Sequence, residues 1–158
     1  MSSKNWSKIN CIDLLKTAGY INIGIAIGHL VGLIWAQQLF EMTGIGEEMN
    51  ELAKSHFLFP YVLTIFVSIV FIIFGLYGLS AAGIFKKLPF LKFGIFSIAA
   101  VYIFRGVGGF FADPRGKETS ATIEIIYSFI ALAIGILFLF GGIKKWNRQK
   151  GYSNQGNG

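Results

Sequence analysis

Four apolar stretches, at positions 17–40, 57–79, 89–111 and 121–143, decide what this chain can become. Each is close to the ~20 residues that carry an α-helix across ~30 Å of hydrocarbon at 1.5 Å per residue. The first is too long for the core of a signal peptide, and no small-residue cleavage site follows it, so it is expected to remain as a span. Only 14% of the 158 residues are charged while 54% are hydrophobic. A soluble domain of this size would have too few charges to cover its apolar surface. The expected fold is an all-α integral membrane four-helix bundle. It forms one transmembrane domain over residues 1–150, followed by a disordered, Gly/Asn/Ser-rich tail at 151–158.

The charges set a direction. Lys4, Lys8 and Lys16 precede the first stretch, Lys86, Lys87 and Lys92 surround the second connection, and Lys144, Lys145, Arg148 and Lys150 follow the last stretch. Glu41, Glu47, Glu48, Glu51, Asp113, Glu118 and Glu124 lie in or beside the other two connections, with only Lys54, Arg115 and Lys117 as cations. Basic segments stay inside, so both termini and the second connection are expected on the cytoplasmic side. The net charge of +6 then reads as membrane-flanking lysine and not as a nucleic-acid surface, since no long basic stripe forms. Aromatic residues mark the borders: Trp35, Phe59, Tyr61 and Phe111 at the outer one, Trp6 and Trp146 at the inner one. Pro60 and Pro89 are each placed in a first helical turn, where a missing N–H costs little.

The first outer connection reads GEEMNELAKSH from Gly46 to His56, with Met49, Leu52 and Ala53 on one helical face and Glu47, Glu48 and Glu51 on the other. That pattern predicts a short amphipathic helix on the outer surface, with a plain connector as the alternative. On the first stretch Gly24, Gly28 and Gly32 recur every fourth residue. Small residues at this spacing let a second backbone come close. A homodimer through these glycines is one reading. A contact inside the bundle is preferred, because three other helices need neighbours. Ala99, Gly106, Gly109, Ala131 and Gly135 can serve the same purpose on the third and fourth helices.

The polar groups inside the stretches are the candidates for function. Arg105 lies between Phe104 and Gly106, and a charge at that depth costs a few kcal/mol at least, so it requires a partner or a route to water. It falls in the outer half, roughly 9 Å short of Phe111. The readings are snorkelling to outer headgroups, with or without a structural ion pair, and a ligand site. Thr64, Ser68, Glu124, Tyr127 and Ser128 are expected at the same depth, with Tyr102 one turn away and Gln37 and Gln38 ending the first helix. The other half holds little beyond Asn22 and Ser97. The bundle therefore reads as a cup open outward with a dry cytoplasmic floor. His29 is expected at the bottom of that cup on the same face as Asn22, either in an interhelical hydrogen bond or as a proton carrier.

Other chemistry is missing from the pattern. Cys11 is the single cysteine, which leaves no internal disulfide and no CxxC motif. His29 and His56 have no metal-site spacing, no phosphate loop, nucleophile elbow or paired-carboxylate signature occurs, and no cofactor is expected. Glu47 and Glu48 are adjacent, so they point in different directions.

Three segments resemble an uncharacterised family of small four-helix bacterial inner-membrane proteins: GIGEEMNELA at 44–53, LYGLSAAGIFKKLPFL at 76–91 and VYIFRG at 101–106. The family reads GAGEEM, LYxLSxAG…LPxL and YxxRG at the matching places. The resemblance implies a bacterial cytoplasmic membrane and four helices, and no activity. Glu47, Glu48 and Arg105 lie within it, whereas Glu124 lies outside.

Three functions follow as expectations. The first is a membrane-embedded binding or accessory protein whose outward cup holds a lipid-like or anionic amphipathic ligand, or a partner helix. Its candidate ligand-binding residues are Arg105, His29, Tyr102, Glu47, Glu48 and Glu124. The second is a small proton-coupled transporter or channel component using His29. The third is a lipid-modifying enzyme with Glu47 or Glu48 as acid/base and Arg105 on a phosphate.

Overall fold

Backbone that leaves water must satisfy its own N–H and C=O groups, and a helix does so within one segment. The computed structural model describes residues 10–35, 51, 53, 54, 56, 58–111 and 118–155. Helix α1 spans Cys11–Gly32 and runs into a 3-10 turn at Leu33–Trp35, α2 spans Phe59–Ala81, α3 spans Leu91–Phe111 and α4 spans Glu118–Gln155. No strand occurs among the described residues. All four helices are long and apolar enough to cross a membrane.

Their ends differ from the hydropathy limits for local reasons. Helix α1 begins at Cys11, so Asp13 and Lys16 lie in its opening turns: a helix continues where its hydrogen bonds continue, whatever the polarity of its side chains. Pro60 occupies the first turn of α2 as expected. Pro89 instead sits in a turn ahead of α3, which starts at Leu91. Helix α4 continues through 151–155, a segment expected to be disordered. Gly151 costs a helix about 1 kcal/mol, which the strong helix formers just before it can carry. Apart from Glu51, Ala53, Lys54 and His56, the 46–56 segment lies outside the described residues. Glu51 and Lys54, both exposed, pair at 2.5 Å.

Helix α1 packs along α2, α3 packs along α4, and the two pairs join mainly where α1 meets α4. Glycine makes the first contact close. A methyl group on Gly78 would stand 2.9 Å from the Gly19 Cα, and one on Gly19 would stand 3.0 Å from the Gly75 carbonyl oxygen. The expected stripe is placed otherwise. A methyl group on Gly24 or Gly28 would meet nothing within 4 Å, which corrects the reading of an intrachain contact there. Leu15, Ala18, Gly19, Asn22 and Ala26 are the buried line of α1, and Gly24 and Gly28 lie on the opposite side of that helix. On the other pair, a Cβ on Gly106 would reach the Leu132 nitrogen at 3.0 Å and one on Gly135 the Ile103 nitrogen at 3.1 Å, so small residues do bring α3 and α4 together.

The centre is aromatic and contains one polar bridge. Tyr102 stacks on Phe138 at 6.4 Å between ring centroids and meets Phe74 edge-on at 6.0 Å. Its hydroxyl donates to Asn22 Oδ1 at 2.6 Å, and Asn22 Nδ2 donates to the Ala18 carbonyl at 2.8 Å. Asn22 is wholly buried, so this bridge between α1 and α3 supplies the partners its amide needs.

The α2–α3 connection is pinned at several points. Gly83 has φ +80 just after the end of α2, with Ile84 N–H on the Leu79 carbonyl at 2.9 Å and Gly83 N–H on the Ser80 carbonyl at 3.1 Å. That is a Schellman termination, which uses glycine because the left-handed conformation strains residues with a Cβ. Ser80 Oγ donates to the Lys86 carbonyl at 2.9 Å and accepts from Leu88 N–H at 3.0 Å.

Candidate functional site

Arg105 finds its partner on the neighbouring helix. Its Nη2 lies 2.8 Å from Glu124 Oε1, and the two side chains remain 49% and 34% exposed. Gly109 explains the geometry. A Cβ there would stand 1.9 Å from Ser128 Oγ and 2.8 Å from Arg105 Nη1, so the guanidinium is folded along its own helix across a glycine one turn ahead. Ser128, fully buried, donates to the Glu124 carbonyl at 2.8 Å. The sequence thus couples three residues at one crossing: the arginine, the glycine it lies over, and the small serine that lets the crossing close.

The pair faces a shallow groove lined by Arg105, Glu124, Gly108, Gly109, Val101 and Phe104. Val101 and Phe104 are exposed, and a methyl group on Gly108 would meet nothing within 4 Å. The groove therefore opens sideways, along the outer flank of α3 and α4. A guanidinium carries five N–H donors, more than one contact to a carboxylate oxygen uses. Chemically, the site offers a planar cation with donors to spare, a carboxylate that holds it in place, and an apolar channel beside both.

The other expected site residues are not gathered around it. Tyr102 is 7% exposed and turned to the core, where its hydroxyl is engaged by Asn22. His29 is half-buried on α1, with Nδ1 2.9 Å from the Ile25 carbonyl and its ring 5.3 Å from Phe71. A carbonyl only accepts, so Nδ1 carries the proton in this bond. The bond expected between helices is thus made within α1. Glu47, Glu48, Gln37 and Gln38 lie outside the described residues.

The serine and threonine hydroxyls expected in the polar layer bond within their own helices. Thr64 Oγ1 donates to the Pro60 carbonyl at 2.9 Å and Ser68 Oγ to the Thr64 carbonyl at 2.8 Å, as Ser128 does on α4. A hydroxyl in an apolar helix is satisfied by the carbonyl four residues back, with no need of a neighbour. Among the described residues these hydroxyls are therefore satisfied within their own helices, and the charged pair lines a groove on a flank. The sequence reading passes over Gly108 and the Asn22–Tyr102 bridge. Gly109, four residues after Arg105, carried a signal in its spacing. The bridge joins positions 80 apart and carried none.

Compared with known proteins, the chain matches no protein-family model, no curated protein and no solved structure.

Proposed function

We propose that this chain is a membrane-embedded binding or accessory protein. In this reading the Arg105–Glu124 groove recognises the acidic end of a lipid-like or anionic amphipathic ligand, or a polar residue on a partner helix. One observation carries the reading: an arginine within an apolar helix, held among the described residues by a single carboxylate contact, beside an open groove with a bare glycine in it. Arginine desolvation is costly, so a half-exposed pair at this depth is a place where a further anion gains more than it would in water. The charge distribution supports termini and second connection on the cytoplasmic side, with Arg105 in the outer half. The resemblance noted above supports a bacterial inner membrane.

Proton-coupled transport through His29 has less support. The buried pair Asn22 and Tyr102 bonds to itself and to the Ala18 carbonyl, and Phe71 and Phe74 pack on Tyr102. A lipid-modifying enzyme would need Glu47 or Glu48 near Arg105, and nothing on the described residues favours that.

The test is mass spectrometry of all species that co-purify after mild extraction from native membranes, with Arg105→Gln run in parallel. A lipid, small molecule or protein present with the native chain and lost in the variant is the expected result. An identical set of bound species in both would sink the proposal.

A further inference from the structure

A second site lies at the opposite, lysine-rich end of the bundle. There the pinned α2–α3 connection, the first turns of α3 and the last turns of the apolar part of α4 line an open pocket of about 610 Å³, within the range of small-ligand sites. Lys87, Lys92 and Lys145 reach it from three different segments, with Phe93, Phe96 and Trp146 as apolar walls. The lining includes no acidic residue, and none of the three lysines forms an ion pair among the described residues.

The pocket is held in shape in ways that flanking lysines do not require. Lys145 Nζ donates to the Ala81 carbonyl at the end of α2 and stands 5.7 Å from the centroid of Trp146. Trp146 packs on Phe96 at 5.7 Å. Ser80 fastens the backbone on both sides of Lys87, and Tyr77 Oη donates to the Pro89 carbonyl at 3.3 Å. Phe90 adds a strained feature. It has φ +50, a left-handed conformation that bulky residues rarely adopt, and the residue is 84% exposed beside Phe93 at 75%. Strain of this kind persists where the surroundings impose it, and it clusters at ligand clamps.

We propose that this pocket binds the phosphate of an anionic phospholipid headgroup. The lysines and the α3 N-terminus, whose first N–H groups have no helical acceptor, meet the phosphate, and the exposed aromatic rings meet the glycerol and upper acyl chain. A soluble phosphate would use the lysines and leave Phe90 and Phe93 without a role, so the aromatic rim favours a lipid. The site is separate from Arg105, and it stands or falls independently of the groove.

The test uses the full chain in phosphatidylcholine nanodiscs doped with phosphatidylglycerol, with bound lipid counted by native mass spectrometry. Phosphatidylglycerol retained in preference to phosphatidylcholine is expected. In Lys87→Gln/Lys92→Gln, where both side chains are exposed, that preference is expected to fall by about fivefold per lysine removed, with the thermal unfolding of the variant unchanged. Phe90→Gly is expected to raise thermal stability while lowering lipid retention. Equal retention of the two lipids, or a preference unchanged in the double variant, would overturn the proposal. Displacement by inorganic phosphate as effective as by short-chain phosphatidylglycerol would also overturn it, by giving the pocket to a soluble anion.

Discussion

Adjacent glycines on α3 should respond to alanine with opposite signs. At Gly108 a Cβ meets nothing within 4 Å. Alanine there adds only the backbone stiffening that glycine lacks, a gain of about 0.5–1 kcal/mol in a helix. At Gly109 the Cβ would stand 1.9 Å from Ser128 Oγ, where ordinary contact begins at 3.4 Å. Ser128 is fully buried and bonded to the Glu124 carbonyl, so its hydroxyl cannot swing clear without losing that bond. The α3–α4 crossing must open or the serine must turn, at the roughly 1–3 kcal/mol typical of overpacking. After the helix-propensity gain, Gly109→Ala is expected to lose about 1–2 kcal/mol, a factor of about 5–30 in the ratio of folded to unfolded protein. Reversible unfolding in mixed micelles titrated with dodecyl sulfate measures it. Gly109→Ala/Ser128→Ala should recover most of the loss, because the Ser128 Cβ contact at 3.2 Å asks for only a small adjustment and Arg105 Nη1, at 2.8 Å, is the far end of a flexible side chain that can shift. Equal effects at 108 and 109, or a double variant no better than the single, would show that this crossing is not as close as described.

Three further outcomes follow from the same contacts. The Arg105–Glu124 pair should show a coupling of about 1 kcal/mol in a double-mutant cycle with glutamine at both positions, the upper end for partly exposed pairs; additive effects would place the two groups apart. Tyr102→Phe leaves Asn22 Oδ1 without its donor and should cost about 1–2 kcal/mol, with little further loss when Asn22→Val is added; full additivity would argue against the bridge. Ser80→Ala removes both fastenings of the α2–α3 connection and should speed amide exchange at Leu88 by about tenfold; unchanged exchange would mean that the connection is held elsewhere.

The number of helices, their apolar length and the shared level of Arg105 and Glu124 along the bundle were legible in the chain, because transfer into an apolar medium is settled residue by residue along each helix axis. That is why Arg105 and Glu124, on separate stretches, were placed in one layer and are found in contact. Helix limits were less legible, as α4 shows by continuing to Gln155, since hydropathy reports where the apolar surface ends and not where the hydrogen bonds do. Rotation about each axis was decided by tertiary structure alone. In a soluble bundle a polar stripe marks the outside of each helix, but here both sides are apolar, and Gly24 and Gly28 were assigned inward while Gly19 takes that position. Tyr102 could equally have faced Arg105 one turn away, and the packing of four helices sends it to Asn22 instead. Depth is a property of a sequence read in one dimension. Which side of a helix meets its neighbour depends on the shapes of all four surfaces at once, because lipid is as apolar as the core and removes the contrast that would have told them apart.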